Sequence, residues 1–227
     1  MRLLVALFVV LAALQITPAF ARSVNSWEVI CGKEPGAIKK SGKAWIFTTN
    51  PNFCSGGVFK QRAEVFSGPI KGNSSDSYLF TVNFSMTTSS NEEFTILDVH
   101  DGRDGCSPHF QLYVRPDGRL AAYSDVKIGP GESCIRGTLG RVSSGRVERD
   151  GTEHELKVLL QFDGAQGFNV TVWLDGKKQL SGRYIPSDRP DAFRSEFFEV
   201  KHGVYSRNMF PFEMRSRDIR IRRVTVN

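Results

Sequence analysis

Three short stretches of the 227-residue chain gather side chains able to hold an anion and move a proton. In Gln61-Arg62-Ala63-Glu64-Val65, Arg62 and Glu64 are two apart and project from the same face of an extended strand. In Ile96-Leu97-Asp98-Val99-His100, Asp98 and His100 point one way while Leu97 and Val99 point the other, into a core. In Lys201-His202-Gly203-Val204-Tyr205-Ser206-Arg207, the residues Lys201, Gly203, Tyr205 and Arg207 share a face. A guanidinium and an ammonium neutralise a carboxylate, and a phenol or an imidazole relays a proton. Gly203, set between a lysine and a tyrosine, would leave bare backbone for a flat ring such as a sugar to approach.

The elements around these stretches read as strands. Residues 77–86 alternate Phe80, Val82, Phe84 and Met86 with Thr81, Asn83 and Ser85, the period of a half-buried strand. Further strands are expected at 94–100, 110–114, 120–123, 155–162, 168–174, 197–205 and 219–226. Turns fall at Pro116-Asp117-Gly118, Asp163-Gly164 and Asp175-Gly176, where glycine accepts a positive φ. Residues 22–44 read as an irregular N-terminal wrap, and no segment carries a sustained helical stripe. The pattern predicts an all-β fold of two packed antiparallel sheets, a sandwich or β-jelly roll, built as one domain over residues 22–227.

Residues 1–21 have the organisation of a signal peptide: Arg2, the apolar run Leu3 to Leu14, and Ala19-Phe20-Ala21 as the cleavage pattern. The chain is therefore expected to be secreted or periplasmic, with no membrane attachment once the signal is removed. Cys31, Cys54, Cys106 and Cys134 form an even set in an exported chain, which favours two disulfides. Of three connectivities, Cys31–Cys54 with Cys106–Cys134 is preferred, because each pair brackets a short polar, glycine-bearing stretch. Their spacing matches no zinc pattern, and no G-x-S-x-G nucleophile elbow occurs. A net charge of +6, reduced only by Arg2 on cleavage, suggests an anionic partner. Export and scattered cations argue against nucleic acid, and a monomer is expected.

Taken together and in this order, the three stretches resemble those of the jelly-roll polysaccharide lyases: alginate, glucuronan and heparin lyase types on a concanavalin A-like sandwich. Those carry R-S-E-L-R-like, Q-I-H and Y-F-K-A-G-V-Y-N-Q-like strands. The matching residues are Arg62-Ala63-Glu64-Val65, Asp98-Val99-His100 and Lys201-His202-Gly203-Val204-Tyr205, with Val172-Trp173-Leu174-Asp175-Gly176-Lys177 and residues 218–226 extending the likeness. The resemblance implies a lyase that cleaves a uronate-containing polysaccharide by β-elimination, without metal or organic cofactor. It makes Arg62, His100 and Tyr205 the catalytic candidates: Arg62 neutralising the carboxylate, His100 assisting it or acting as base, and Tyr205 as base, acid or both. Glu64, Asp98, Lys201 and Arg207 become candidates for substrate binding.

Asp98 stands where the family has glutamine, and Phe66 where it has a second arginine. An ionised aspartate facing a substrate carboxylate is repulsive. Asp98 is thus expected to pair with Arg62 or Lys201, to be held protonated, or to meet a substrate whose charge lies elsewhere. The same residue motivates a second reading, a glycan-binding module that grips without cutting. A sandwich glycoside hydrolase would need two flanking carboxyls, for which Glu64 and Asp98 are the candidates.

Overall fold

The computed structural model describes residues 22–30, 34–54, 57–102, 108–128, 134–139, 142–190 and 192–226. Among them there is no helix; fifteen strands form two antiparallel sheets stacked as a sandwich. In chain order these are β1 (Glu28–Val29), β2 (Ile38–Ser41), β3 (Ala44–Thr48), β4 (Gln61–Phe66), β5 (Ile70–Lys71), β6 (Ser77–Thr87), β7 (Phe94–His100) and β8 (Phe110–Val114). There follow β9 (Leu120–Lys127), β10 (Cys134–Thr138), β11 (Asp150–Phe162), β12 (Phe168–Leu174), β13 (Lys177–Tyr184), β14 (Phe197–Ser206) and β15 (Glu213–Val224). One sheet runs β1-β4-β14-β7-β8-β9-β10, with β5 pairing β14; the other runs β13-β12-β11-β6-β15-β3-β2. The fold is a β-jelly roll, as the alternation implied.

The core lies between the sheets because each strand sends every second side chain inward. Phe80, Val82, Phe84 and Met86 of β6 face Leu97 and Val99 of β7 and Val200 and Val204 of β14, all essentially without solvent contact. His202, also of β14, lies in this core and is fully buried. Its Nδ1 donates to the Ile96 carbonyl at 3.0 Å, and its Nε2 accepts from Ser216 Oγ at 2.9 Å. Ser216 belongs to β15, so this imidazole ties the sheets together. Burial pushes its pKa down to about 4.

One local expectation changes, and one turn falls where it was expected. The span 22–44 is not simply an irregular wrap: it contains β1 and β2, and β2 continues into β3 through a turn at Gly42, whose φ is 60°. Only Ile38 of β2 is buried, so this edge strand offers little alternation to read. The β12–β13 hairpin turns on Asp175 and Gly176, with φ of 52° and 74°, a pair of positive values that suits the twist of a two-residue hairpin. Cys54 and Cys134 each take part in a disulfide. Cys31, Cys106 and residues 1–21 lie outside the described residues.

Candidate functional site

Register places most of the predicted polar residues on one face of the first sheet. Tyr205 of β14 lies opposite Arg62 of β4 on one side and Thr95 of β7 on the other. Gly203 lies opposite Glu64, and Lys201 lies between Phe66 and Asp98. Asp98 in turn faces Gln111 of β8, which faces Tyr123 of β9. Two rows therefore cross the sheet, Arg62–Tyr205–Thr95–Tyr113 and Phe66–Lys201–Asp98–Gln111–Tyr123. Directly opposed side chains in antiparallel strands are neighbours.

The tightest grouping surrounds Tyr205. The Arg62 guanidinium carbon sits 4.0 Å from the centre of the Tyr205 ring. On the phenol's other contact, the Phe59 ring lies 4.6 Å away, centroid to centroid, and the Phe59 backbone N–H donates to the Tyr205 hydroxyl at 3.3 Å. Arg207 covers the Phe59 ring at 5.7 Å. Cation, phenol, phenyl and cation thus form a column from the sheet to the loop before β4.

Arg62 Nε also makes an ion pair with Glu64 Oε2 at 3.4 Å, too poorly aligned for a hydrogen bond. Glu64 is 0% exposed, and neither carboxyl oxygen has a hydrogen-bond partner. Burial raises its pKa, against the opposing pull of Arg62 and Lys201. Asp98, 2% exposed, is pushed up to about 7, first by burial and then by Glu64 and Glu199, with Lys201 and Arg62 opposing. Burial also raises Glu199. Three carboxyls thus surround two cations in a poorly hydrated setting, where a proton held on a carboxyl lowers the electrostatic cost.

Several expectations need correction. Gly203 is not a bare patch offered to a ligand. Its φ is 150°, it sits at the irregularity where β14 shifts register against β7, and an added Cβ would collide with the Ala63 carbonyl and approach Glu64 Cα to 2.7 Å. The glycine is required by close packing of β14 on β4. His100 lies opposite Glu199, six residues from Tyr205 along β14, or roughly 20 Å of extended chain. It is therefore not brought against the Arg62–Tyr205 pair, and its Nδ1 accepts from the Gly102 N–H at 2.8 Å. Arg207 lies beyond the end of β14, on the rim rather than in the strand face. Phe66, at the position of the family's second arginine, has the Arg22 guanidinium 5.0 Å from its ring centre.

Phe59, Thr95, Gln111, Tyr113 and Tyr123 escaped the sequence reading. Tyr113 donates to Gln111 Oε1 at 2.9 Å and packs edge-on against Tyr123 at 5.4 Å. Phe59 is in no strand, so no periodicity marks it. Gln111 and Tyr113 share a face of β8, and only the register to β7 and β9 shows that this face joins Asp98 and Tyr123. A Ser–His–Asp grouping also exists away from the site: Ser195 Oγ donates to Asp101 Oδ2 at 3.0 Å and lies 3.4 Å from His109 Nε2. All three are buried, and the carboxylate holds the serine rather than orienting the imidazole from behind. The grouping pins the segments before β8 and β14 together.

No protein-family model matches the chain, and no curated protein matches it by sequence. Solved structures do match its fold. An alginate lyase, AlgAT5 from polysaccharide lyase family 7, superposes with a TM-score of 0.57 at 12% identity, over 89% of this chain and 95% of that one. An endo-β-1,4-glucuronan lyase from the fungus Trichoderma reesei gives 0.56 at 13% identity, over 87% of each chain. The alginate lyase PA1167 from Pseudomonas aeruginosa gives 0.54 at 13% identity, over 84% and 87%. At these identities the likeness is one of fold: the chain has the jelly roll that these lyases share.

Proposed function

We propose that the protein is a polysaccharide lyase that binds a uronate-containing chain along the β4–β14–β7 face and cleaves it by β-elimination. The observation that carries this reading is the Arg62 guanidinium lying 4.0 Å over the Tyr205 ring, a cation and a proton-transferring group in contact on one face. The shared fold of proteins described as alginate and glucuronan lyases supports it.

In this reading Tyr205 takes the proton from C5 of the uronate. The C5–H electron pair forms the C4=C5 double bond, the C4–O bond breaks, and the leaving oxygen recovers a proton from Tyr205. Negative charge gathers on the uronate carboxylate during the first step and needs preorganised donors. Arg62 and Lys201 supply positive charge. Asp98, held as a neutral acid, donates the hydrogen bond that an amide would give. His100, opposite Glu199 at the far end of the paired β7 and β14, contacts a flanking sugar rather than the scissile one. A screen of acidic polysaccharides for unsaturated, ultraviolet-absorbing products tests the reaction. Tyr205→Phe should abolish product formation, and full activity in that variant would sink the assignment.

A second reading, binding without cleavage, is favoured by one observation. Glu64, Asp98, Tyr205 and Lys201 are 0, 2, 7 and 9% exposed, so the groups meant to touch substrate are covered in this conformation. Retention on an acidic polysaccharide with no product after long incubation would select it.

A further inference from the structure

The outer face of the second sheet carries a row that the cleft does not use. Arg220 of β15 lies opposite Thr81 of β6, which faces Lys157 of β11, which faces Trp173 of β12, which faces Lys178 of β13. The neighbours of Trp173 in its strand, Val172 and Leu174, are buried, so the indole points outward. In the next row Arg222, Leu79, Leu159 and Thr171 are aligned across the same strands. The leucines and the threonine are half-buried, so a flat apolar strip continues from the indole towards Arg222.

The three tryptophans differ in their company. Trp27 meets the Phe80 ring edge-on at 6.0 Å, while Trp45 stacks on Phe47 at 6.5 Å and lies under the Lys40 ammonium. Among the described residues, no aromatic ring or cation stacks on Trp173. Its flanking charges are unbalanced as well. Lys157 pairs with Glu155 at 2.8 Å and Arg220 with Asp218 at 3.5 Å, whereas Lys178 and Arg222 have no carboxylate partner among the described residues. A half-exposed indole in mid-sheet loses apolar surface to water unless something flat covers it.

We propose that this outer face is a second binding surface for an acidic polysaccharide, with a sugar ring stacked on Trp173 and neighbouring carboxylates met by Lys178, Lys157 and Arg222. Pyranose rings present a flat C–H face that matches an indole, and a polyanion built of such rings meets both the indole and the cations. The row spans about 19 Å across five strands at ordinary strand spacing, long enough for several consecutive sugar units. Binding here needs no cleavage at the opposite sheet, so it stands whichever way the lyase reading falls. Its role would be to hold one stretch of a long polymer while another occupies the cleft.

Affinity electrophoresis through gels containing alginate, with dextran as the neutral comparison, reads this surface directly. In an Arg62→Ala background that weakens the cleft, retardation by alginate should persist and dextran should give none. Adding Trp173→Ala or Lys178→Glu should weaken the alginate interaction about tenfold or more. Lys178 is exposed on the edge strand, so Lys178→Glu leaves the sheet intact and keeps the test valid if Trp173→Ala unfolds. Unchanged retardation in both added variants would overturn the proposal, as would equal retardation by dextran or a preference for anionic vesicles over alginate. In the wild-type protein, retardation by alginate with no unsaturated product from alginate or any other acidic polysaccharide tested would defeat the lyase reading alone.

Discussion

Asp98 of β7 and Lys201 of β14 face each other in register, yet the Asp98 carboxyl lies pushed up to about 7 rather than ionised against the ammonium. Desolvation outweighs the attraction of Lys201, and Glu64 across β14 adds to it. The residue that replaces the expected amide can therefore serve as a neutral hydrogen-bond donor below that pH.

The first consequence is a pH limit on activity. Cleavage or binding of a polyuronate should decline as pH rises through about 7, when Asp98 ionises and repels the substrate carboxylate. Asp98→Asn keeps a donor without the charge, so its activity should persist above pH 8. A wild-type and mutant pH profile of kcat/KM checks this; identical alkaline limbs would refute it.

Stability should show the same group by another route. The Asp98 pKa is raised in the fold from an ordinary 3.8, so the folded state holds more protons between about pH 4 and 7, and its contribution falls as pH rises through that window. His202 acts oppositely: its pKa is lowered from 6.5 to about 4, so its contribution is full above 6.5 and is lost as pH falls. Asp98→Asn removes only the first effect. Its stability relative to wild type should grow from pH 4 to pH 7 and then level off, by on the order of 1–3 kcal/mol in denaturant titrations.

Gly203→Ala tests the packing of the site rather than its chemistry. The new methyl meets β4 backbone at a φ that side chains rarely adopt, so both strands must shift. A loss of roughly 2–4 kcal/mol in chemical denaturation is expected. A wild-type midpoint would restore the view of Gly203 as a ligand-facing patch.

Phe59 should behave as a positioning residue for Tyr205. Phe59→Ala removes the ring at 4.6 Å but leaves the backbone donor in place. The expected result is about a tenfold fall in kcat with little change in KM, restored largely by Phe59→Tyr. A change in KM alone would assign Phe59 to substrate binding instead.

Period-2 patterning revealed β6, β7, β8, β12 and β14 closely, because each has one apolar and one polar face over five or more residues. It missed β2, where a single inward residue leaves no pattern, and β13, where only Leu180 and Tyr184 are buried. Within the site, Arg62, Glu64, Asp98, Lys201 and Tyr205 were legible from their faces. The distance of His100 from Tyr205 was not, since it depends on cross-strand register and on the shift at Gly203. Nor was Phe59, whose place is set by the loop folding back over the sheet.

β14 carries Lys201 and Tyr205 on one side and His202 on the other, with His202 bonded to Ile96 and to Ser216 of the opposite sheet. A strand clamped in this way cannot be bent to suit a new ligand without breaking the bonds behind it. Divergence of the site towards other polymers is therefore channelled into side-chain exchange on a fixed backbone and into the loops above it.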